Sequence, residues 1–430
     1  MKRLKSIFKV IILTCLIPVF GAATFSLAES QLNLNRDRAN AMLNIVAKDL
    51  ARNYYDPKME GLNWPALVRR AHQQIQQAST NGQMMSSIYA LVDKLHDSHT
   101  FFIPPMHSAD IHYGFDAKPF GERILVCKVK KNGPALQAGL KLGDQIVAVN
   151  NFRAARKTFD QMMLFFRVLA PVPEMDLAVV RGNEPPRTIS LKPKIQMDNV
   201  MVDLTDTATA QHFFLQEVDG QEEPAEHRIL QGNIGYVRWR WFDDEASPLE
   251  RNLQAVHKAK AVILDLRGNP GGALDTLESV AGYLVSGKVT IAETRLRKKD
   301  DPLKVGPRRP DFTQPLFILV DSESASAAEI FARYFQITHR ATIIGDQTSG
   351  RVATAQIFPE KYGMNTIVPF GLEIDVGHVF FKNGEDLERR GVTPDKLCLP
   401  TPDDLSNRRD PCLKLAEQLA EGAVSSGHKP

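Results

Sequence analysis

Three kinds of hydrophobic pattern follow one another along the chain. Between Asn33 and Leu95, apolar residues recur at steps of three and four, which predicts helices. From Gly114 to Lys194, short apolar runs are separated by Gly and Pro, which predicts short strands. From Asn233 onward, buried-strand patterns alternate with helix-period patterns. That alternation predicts βαβ units and an α/β core.

The α/β part can be divided into individual predicted elements. In chain order they are the strand Asn233–Trp239, the helix Pro248–Ala259, the strand Ala261–Arg267, the helix Ala273–Leu284, and the strands Leu316–Val320 and Ala341–Gly345. A polar stretch around Asp203 to His227 precedes them, and residues 401–430 are predicted to be a C-terminal tail. We find no internal repeat, so the chain is not expected to be a solenoid.

The N-terminus has the pattern of a secretory signal peptide. Basic residues among the first nine precede an apolar run from Val10 to Phe25, and Ser26-Leu27-Ala28 resembles a cleavage site. We therefore expect cleavage after Ala28 and export to the periplasm or the extracellular space. The alternative is an uncleaved N-terminal anchor.

Length, charge and cysteine content narrow the class of protein. The chain of 430 residues is long enough for two or three domains, and its 43% hydrophobic and 24% charged residues are typical of globular proteins. Loss of the four basic residues before Ala28 would change the net charge from +3 to −1, which does not favour nucleic-acid binding. In an oxidising compartment, Cys398 and Cys412 are a plausible disulfide, whereas Cys127 is expected to be a buried core thiol.

A metal site and a cofactor are not expected. Four histidines, His96, His99, His107 and His112, lie near one another in the sequence, but no zincin-type motif accompanies them.

Serine residues form a turn between a predicted strand and a predicted helix. The segment Asp321-Ser-Glu-Ser-Ala-Ser-Ala-Ala-Glu follows the apolar run Leu316–Val320 and precedes a helix-period pattern. A serine at a helix N-terminus lies where free N–H groups and the helix dipole favour a developing anion. Alternatively, Ser322 and Ser324 only cap the helix.

The segment from Lys131 to Asn150 resembles a PDZ domain through its Gly-Pro-Ala, Ala-Gly-Leu, Gly-Asp-x-Ile and Val-Asn motifs. Such a domain leaves a strand edge open beside a helix, here predicted over Thr158–Leu169, so that an extended peptide can add as a further strand. The resemblance implies that the backbone N–H groups of Tyr113, Gly114 and Phe115 hold the terminal carboxylate of a peptide.

The mature chain resembles the C-terminal processing, or tail-specific, proteases and the related tricorn protease core. Three ordered motifs carry the resemblance: Leu264-Asp-Leu-Arg-Gly-Asn-Pro-Gly-Gly, Ser324-Ala-Ser-Ala-Ala-Glu-Ile, and Glu388-Arg-Arg-Gly-Val-Thr-Pro-Asp. The second motif implies that Ser326 is the nucleophile. The oxyanion hole would then use the N–H of Ala327 and one from Gly271 or Gly272.

The chain departs from the tail-specific pattern at the general base. Where that family has Thr-Phe-Gly-Lys, this sequence reads Thr348-Ser-Gly-Arg351, and arginine cannot accept a proton from serine. The stretch Asp97-Ser-His-Thr instead resembles the Ser–His pair of tricorn-type enzymes. That resemblance implies His99 as general base and Glu388 as the last member of the relay. Ser98 would either orient His99 or support the oxyanion region. Arg351 could then bind a carboxylate of the substrate or of Glu388.

These features lead to an expected architecture and function. The predicted order is a signal peptide (1–28), a helical unit (29–110), a PDZ domain (111–195), an α/β serine-protease core (196–400) and the tail (401–430). The expected function is an exported serine endopeptidase that captures protein or peptide substrates by their C-termini, through the PDZ domain, without metal or nucleic acid. A catalytically silent PDZ scaffold and a carrier of hydrophobic ligands are the alternatives. The sequence leaves the oligomeric state open.

Overall fold

The computed structural model describes residues 4–105, 109–169, 172–197, 223–363 and 368–426. No helix within these ranges is both long and apolar enough to span a membrane.

Helices make up the N-terminal part, in agreement with the hydrophobic spacing. They are α1 (Leu4–Asn53), α2 (Trp64–Gln77) and α3 (Asn81–Val92). The side chains of Asn63 and Thr80 cap α2 and α3 by accepting N–H groups of the first turn, which fixes where each helix begins. Helix α1 runs without interruption past Ala28, the predicted cleavage point.

A small antiparallel domain follows, and it has the architecture expected of a PDZ domain. Its elements and the strand before them are β1 (Phe101–Ile103), β2 (Ala109–His112), β3 (Phe115–Phe120), β4 (Arg123–Val129), α4 (Pro134–Gln137), β5 (Gln145–Val149), β6 (Phe152–Arg153), α5 (Phe159–Leu164), β7 (Met175–Val180), β8 (Arg187–Leu191) and β9 (Lys194–Met197). The sheet order is β3-β4-β5-β7-β8, with β6 on β5, and β2 pairs with β9. The helix predicted over Thr158–Leu169 is α5 followed by a π-helical turn, Phe165–Leu169.

The remaining described residues form the α/β core. Its elements are β10 (Ala225–Leu230), β11 (Ile234–Trp239), α6 (Ser247–Ala255), β12 (Ala261–Asp265), α7 (Leu274–Ala281), β13 (Val289–Leu296), β14 (Asp300–Val305), β15 (Leu316–Val320), α8 (Ala327–Ile337), β16 (Ala341–Gly345), β17 (Ala353–Tyr362), β18 (Val368–Phe380), β19 (Lys396–Leu397), α9 (Pro402–Ser406) and α10 (Pro411–Ser425). The main sheet has the order β10-β11-β12-β15-β16-β19 and is parallel except for the β10–β11 pair. The predicted α/β core is confirmed.

Alternate residues of the buried strands pack on opposite faces of the main sheet. On β12, Val262 and Leu264 belong to the large core that contains α6, α7 and α8, whereas Ala261 and Ile263 pack beneath α10. Because both faces are covered, these strands read as continuous apolar runs, as expected for parallel sheets.

The C-terminal segment is more ordered than the sequence suggested. Residues 401–430 were predicted to be a tail, yet their described part contains α9 and α10, and Cys412, Ala416 and Ala420 of α10 are buried against the sheet. A disulfide joins Cys398 to Cys412, as predicted. The small side chains of Ala416 and Ala420 allow α10 to lie close to the strands.

A second sheet connects the helical unit to the core. Its order is β1-β18-β13-β14, with β17 also on β18. Phe102 of β1 and Phe370, Leu372 and Ile374 of β18 join the hydrophobic core of α1, α2 and α3. Strand β1 begins two residues after His99, so its pairing with β18 fixes where that histidine lies.

Candidate active site

Ser326 lies between β15 and α8 in a strained backbone conformation. Its φ of 52° and ψ of −120° are rare for a residue with a side chain, and such outliers cluster at functional sites. The Ser326 N–H donates to Arg351 O at 2.7 Å and to Glu329 Oε2 at 3.1 Å. These contacts hold the serine at the N-terminus of a buried helix.

The other two serines of the turn have structural partners. Ser324 is fully buried, and its hydroxyl donates to Leu266 O at 2.7 Å. The hydroxyl of Ser322 donates to Pro119 O of the PDZ-like domain at 2.7 Å. Their hydroxyls therefore brace the turn, whereas the hydroxyl of Ser326 donates no hydrogen bond to another of the described residues.

Gly271 lies directly against Ser326, and its neighbour Gly272 packs against the backbone of Phe242. A Cβ on Gly271 (φ 102°) would lie 2.6 Å from Ser326 Cβ, and one on Gly272 (φ 132°) would lie 2.0 Å from Phe242 O. Both positions therefore require glycine. The N–H of Gly271 donates to Asn269 Oδ1 at 2.8 Å, whereas within the described residues the N–H groups of Gly272 and Ala327 have no acceptor.

The structure brings His99, Ser98 and Glu388 together. His99 Nδ1 lies 3.0 Å from Ser98 Oγ, and the Ser98 N–H donates to Glu388 Oε1 at 3.1 Å. The His99 N–H donates to Asp97 Oδ1 at 2.8 Å, and Tyr54 donates its hydroxyl to Asp97 Oδ2 at 3.1 Å. This arrangement turns one ring nitrogen of His99 toward Ser98.

Ser326 is connected to these residues through the segment 351–352. Arg351 O accepts the N–H of Ser326, and the Val352 N–H donates to Glu388 Oε2 at 2.8 Å. No hydrogen bond joins His99 to Ser326 in the described part of the chain. Hydrogen bonds between a base and its nucleophile often tighten only when substrate binds.

The side chain of Arg351 points to the PDZ-like domain. Its Nη2 atom lies 3.3 Å from Asp160 Oδ2 of α5, and both side chains are exposed. Among the described residues, the carboxylate that it contacts is therefore that of Asp160 and not that of Glu388. Glu388 instead receives N–H groups of Ser98 and Val352.

Burial shifts the protonation of the groups around His99. It lowers the pKa of His99 to about 4, against the opposing effect of Asp97 and with a smaller contribution from Arg351. Burial also raises the pKa of Glu388, although Ser98 and Val352 stabilise its carboxylate, and raises that of Glu373 to about 8. His99 is therefore neutral near pH 7.

The residues expected to bind a peptide terminus form a turn at the start of β3. Tyr113 and Phe115 are buried with exposed fractions of 1% and 2%, so only their backbone can face a ligand. Gly114 has a φ of 79°, and a Cβ there would lie 3.0 Å from Pro134 Cδ. Tyr113 donates its hydroxyl to Val172 O, which fixes the turn against the domain core.

Sequence reasoning missed two carboxylates of the site. Glu329 accepts the N–H of the nucleophile candidate, and Asp97 accepts that of His99. The spacing Ser326-x-x-Glu329 has the form of a helix capping box, so it was a readable signal for Glu329. Within the described residues, no group of three or more His, Cys, Asp or Glu side chains could hold a metal ion. His107 lies outside these residues.

Comparison with known proteins identifies both parts of the fold. The sequence model of peptidase family S41 matches residues 233–397, and that of the PDZ domain matches residues 109–168. Mature CPAF in complex with lactacystin has a similar fold, with a TM-score of 0.68 at 13% identity over 92% of this chain and 100% of that chain.

Two processing proteases are similar to part of the chain in sequence. The carboxy-terminal-processing protease of Bartonella bacilliformis is 29% identical over 276 residues, which cover 61% of this chain and 55% of the relative. The carboxyl-terminal-processing protease of Synechocystis is 25% identical over 308 residues, covering 69% and 64%. The chain thus spans less than two thirds of the length of either relative. The chain thus contains a region that matches peptidase family S41 and a region that matches the PDZ domain, and part of it is similar to carboxy-terminal processing proteases.

Proposed function

We propose that this protein is a serine endopeptidase in which Ser326 is the nucleophile and His99 the general base. The observation that carries the proposal is the placement of Ser326 on a strained turn at the N-terminus of α8, directly against Gly271, a position that only glycine can occupy. That arrangement exposes a hydroxyl to an incoming carbonyl and surrounds it with backbone N–H groups.

In the proposed reaction, Ser326 Oγ attacks the carbonyl carbon of the scissile peptide bond. His99 Nε2 accepts the hydroxyl proton and then gives it to the leaving amine, which produces an acyl-enzyme. Water attacks this ester in the same way, releasing the second product. The N–H groups of Ala327 and Gly272 are the proposed oxyanion donors, because that of Gly271 is already bonded to Asn269.

The relay behind His99 would set its tautomer. If Nδ1 carries the proton and donates it to Ser98 Oγ, Nε2 is left as the acceptor that the reaction needs. Glu388 contacts Ser98 and would stabilise the imidazolium formed during attack. Arg351 takes no part as a base, because a guanidinium cannot accept the serine proton.

Substrates are proposed to reach this site through the PDZ domain. The turn at Gly114 lies at the start of β3. This strand is the first in the order β3-β4-β5-β7-β8 of the domain's sheet. An extended peptide could add to such a strand with its terminal carboxylate at the turn. The proposed domain order is a signal peptide that ends at residue 28, a helical unit that ends at 110, a PDZ domain that ends at 195 and a protease core that ends at 400.

Export to an oxidising compartment is proposed as the setting. The basic and apolar pattern of residues 1–28 supports a cleavable signal peptide, and the Cys398–Cys412 disulfide is of a kind that persists outside the cytosol. A periplasmic or extracellular location satisfies both observations.

Labelling with a fluorophosphonate probe tests the proposed function. We expect the wild-type protein to be labelled at Ser326 and to cleave an unstructured protein, and Ser326→Ala to do neither while its circular dichroism is unchanged. Peptide binding by an unlabelled wild type would instead indicate a silent scaffold. Retained cleavage by Ser326→Ala would remove Ser326 from the nucleophile role.

A further inference from the structure

Glu329 is a fully buried carboxylate in the first turn of α8, three residues after Ser326. The reaction proposed above gives it no part. Burial raises its pKa to about 7, although four hydrogen bonds favour the charged form. A group that is costly to bury in this way calls for a structural or functional reason.

All four acceptor positions of the Glu329 carboxylate are occupied. Oε1 accepts the hydroxyl of Thr348 at 2.5 Å and the N–H of Gly350 at 2.8 Å. Oε2 accepts the N–H of Arg351 at 2.9 Å and that of Ser326 at 3.1 Å. Because an ionised carboxylate is an acceptor only, the four donors match its charged form.

The segment held by Glu329 is the one that separates Ser326 from Glu388. Its Gly350 O accepts the N–H of Arg389 at 2.6 Å, and its Val352 N–H donates to Glu388. A Cβ on Gly350 would lie 2.9 Å from the Arg389 backbone, so the two segments are packed backbone to backbone. Movement of residues 348–352 would therefore displace Glu388 relative to Ser326.

The charged side chains on the surrounding segments are directed elsewhere. Arg351 contacts Asp160, Arg333 of α8 pairs with Glu385, Arg389 donates to His96 O and Arg390 to Asp386 O. Glu329 thus interacts with its surroundings through directed hydrogen bonds. These bonds restrict the positions of the donor groups more strictly than an ion pair would.

We propose that Glu329 is a positioning residue that fixes Ser326 relative to the relay of Glu388, Ser98 and His99. One carboxylate binds the backbone of the nucleophile and the backbone of the segment that contacts Glu388. This role rests on the proposed peptidase function. Glutamine cannot replace it, because the amide nitrogen would face two of the four donors.

The test compares Glu329→Gln with Glu385→Gln, a matched control. Glu385 also ties α8 to the chain near Glu388, through Arg333, but it does not touch Ser326 or residues 348–352. We expect Glu329→Gln to lower kcat about 100-fold with KM changed less than about threefold, because misplacement of reacting groups affects the chemical step. Glu385→Gln should keep kcat within about threefold of the wild-type value.

Hydrogen–deuterium exchange provides a measurement that does not depend on activity. Peptides covering residues 322–329 and 348–353 should exchange faster in Glu329→Gln than in the wild type. In Glu385→Gln, their exchange rates should equal those of the wild type. Thr348→Val, which removes one donor and keeps the side-chain shape, should give smaller effects of the same kind, so that poor folding of Glu329→Gln would not prevent the test.

The two proposals fail in different ways. If the wild type neither cleaves protein nor reacts with the probe, the peptidase proposal fails, and exchange alone decides whether Glu329 holds the segments together. If the wild type is active and Glu329→Gln retains its kcat, or exchange in the two segments is unchanged, the positioning role of Glu329 is wrong.

Discussion

At the scale of single residues, the identity of the general base decides the chemistry. If His99 is the base, His99→Ala should lower kcat/KM by several orders of magnitude, as removal of a triad member does. Arg351→Ala should keep a measurable rate, because its side chain contacts Asp160 and only its backbone contacts Ser326. Steady-state assays on a quenched peptide measure both. An inactive wild type with gain of activity in Arg351→Lys would indicate a lapsed Ser–Lys enzyme.

The pH dependence separates two buried groups of the site. His99, with a pKa of about 4, is neutral above that value, whereas Glu329, with a pKa of about 7, takes up a proton as the pH falls below 7. We therefore expect kcat of the wild type to decrease as the pH is lowered through about 7. In Glu329→Gln, kcat should not change with pH in this range. Glu373→Gln is the control, because burial also raises the pKa of Glu373, to about 8. This variant should keep the pH dependence of the wild type.

Stability should change in the opposite direction to activity across this pH range. The pKa of Glu329 is raised in the folded protein, so its contribution to stability is complete below the unfolded value and is lost as the pH rises through about 7. Loss of activity on acidification to pH 6 should therefore not be accompanied by a lower melting temperature from this group. A fall in kcat that tracks unfolding would contradict the assignment.

At the scale of elements, the turn before β3 tests peptide capture. Gly114→Val would place a Cβ 3.0 Å from Pro134 Cδ at a φ of 79°, and should weaken binding of peptides with a free C-terminus about tenfold or more. Gly182→Val is the control, because Gly182 also has a positive φ but would meet nothing within 4 Å. Fluorescence polarisation with free-acid and amidated peptides measures the effect. Equal binding of the two peptides by the wild type would exclude capture of the carboxylate.

Elements of the main sheet were predictable because each carries its own signal. The strands Leu316–Val320 and Ala341–Gly345 have the predicted bounds, since a strand buried on both faces is a continuous apolar run. The hairpin of β17 and β18 was not predicted. Strand β17 is mostly partly buried or exposed, and β18 packs Phe370, Leu372 and Ile374 on the N-terminal helices, which are distant in the sequence.

At the scale of the whole molecule, the disulfide should stabilise the fold without affecting the active site. Replacement of Cys398 and Cys412 by serine opens a loop with a sequence separation of 14 residues and should cost about 3 kcal/mol of unfolding free energy. Activity should persist in the folded fraction, because α10 covers the face of the main sheet opposite to α8. Urea unfolding with and without reductant measures the cost, and Cys127→Ala controls for loss of a thiol. Equal stability of the variant and the oxidised wild type would contradict this expectation.

The sequence by itself determined the class of fold and the residues that could do chemistry. Hydrophobic period, glycine positions and short motifs are local properties, so they identify strands, helices, the serine turn and Ser98-His99 without knowledge of their neighbours. Only the tertiary structure decided how these parts meet. Ser98 and Glu388 are 290 residues apart in sequence yet share a hydrogen bond, because β1 pairs with β18. The partners of Arg351 and Glu329 were likewise undetermined, since a side chain's burial and donors depend on segments that folding brings together from distant parts of the chain.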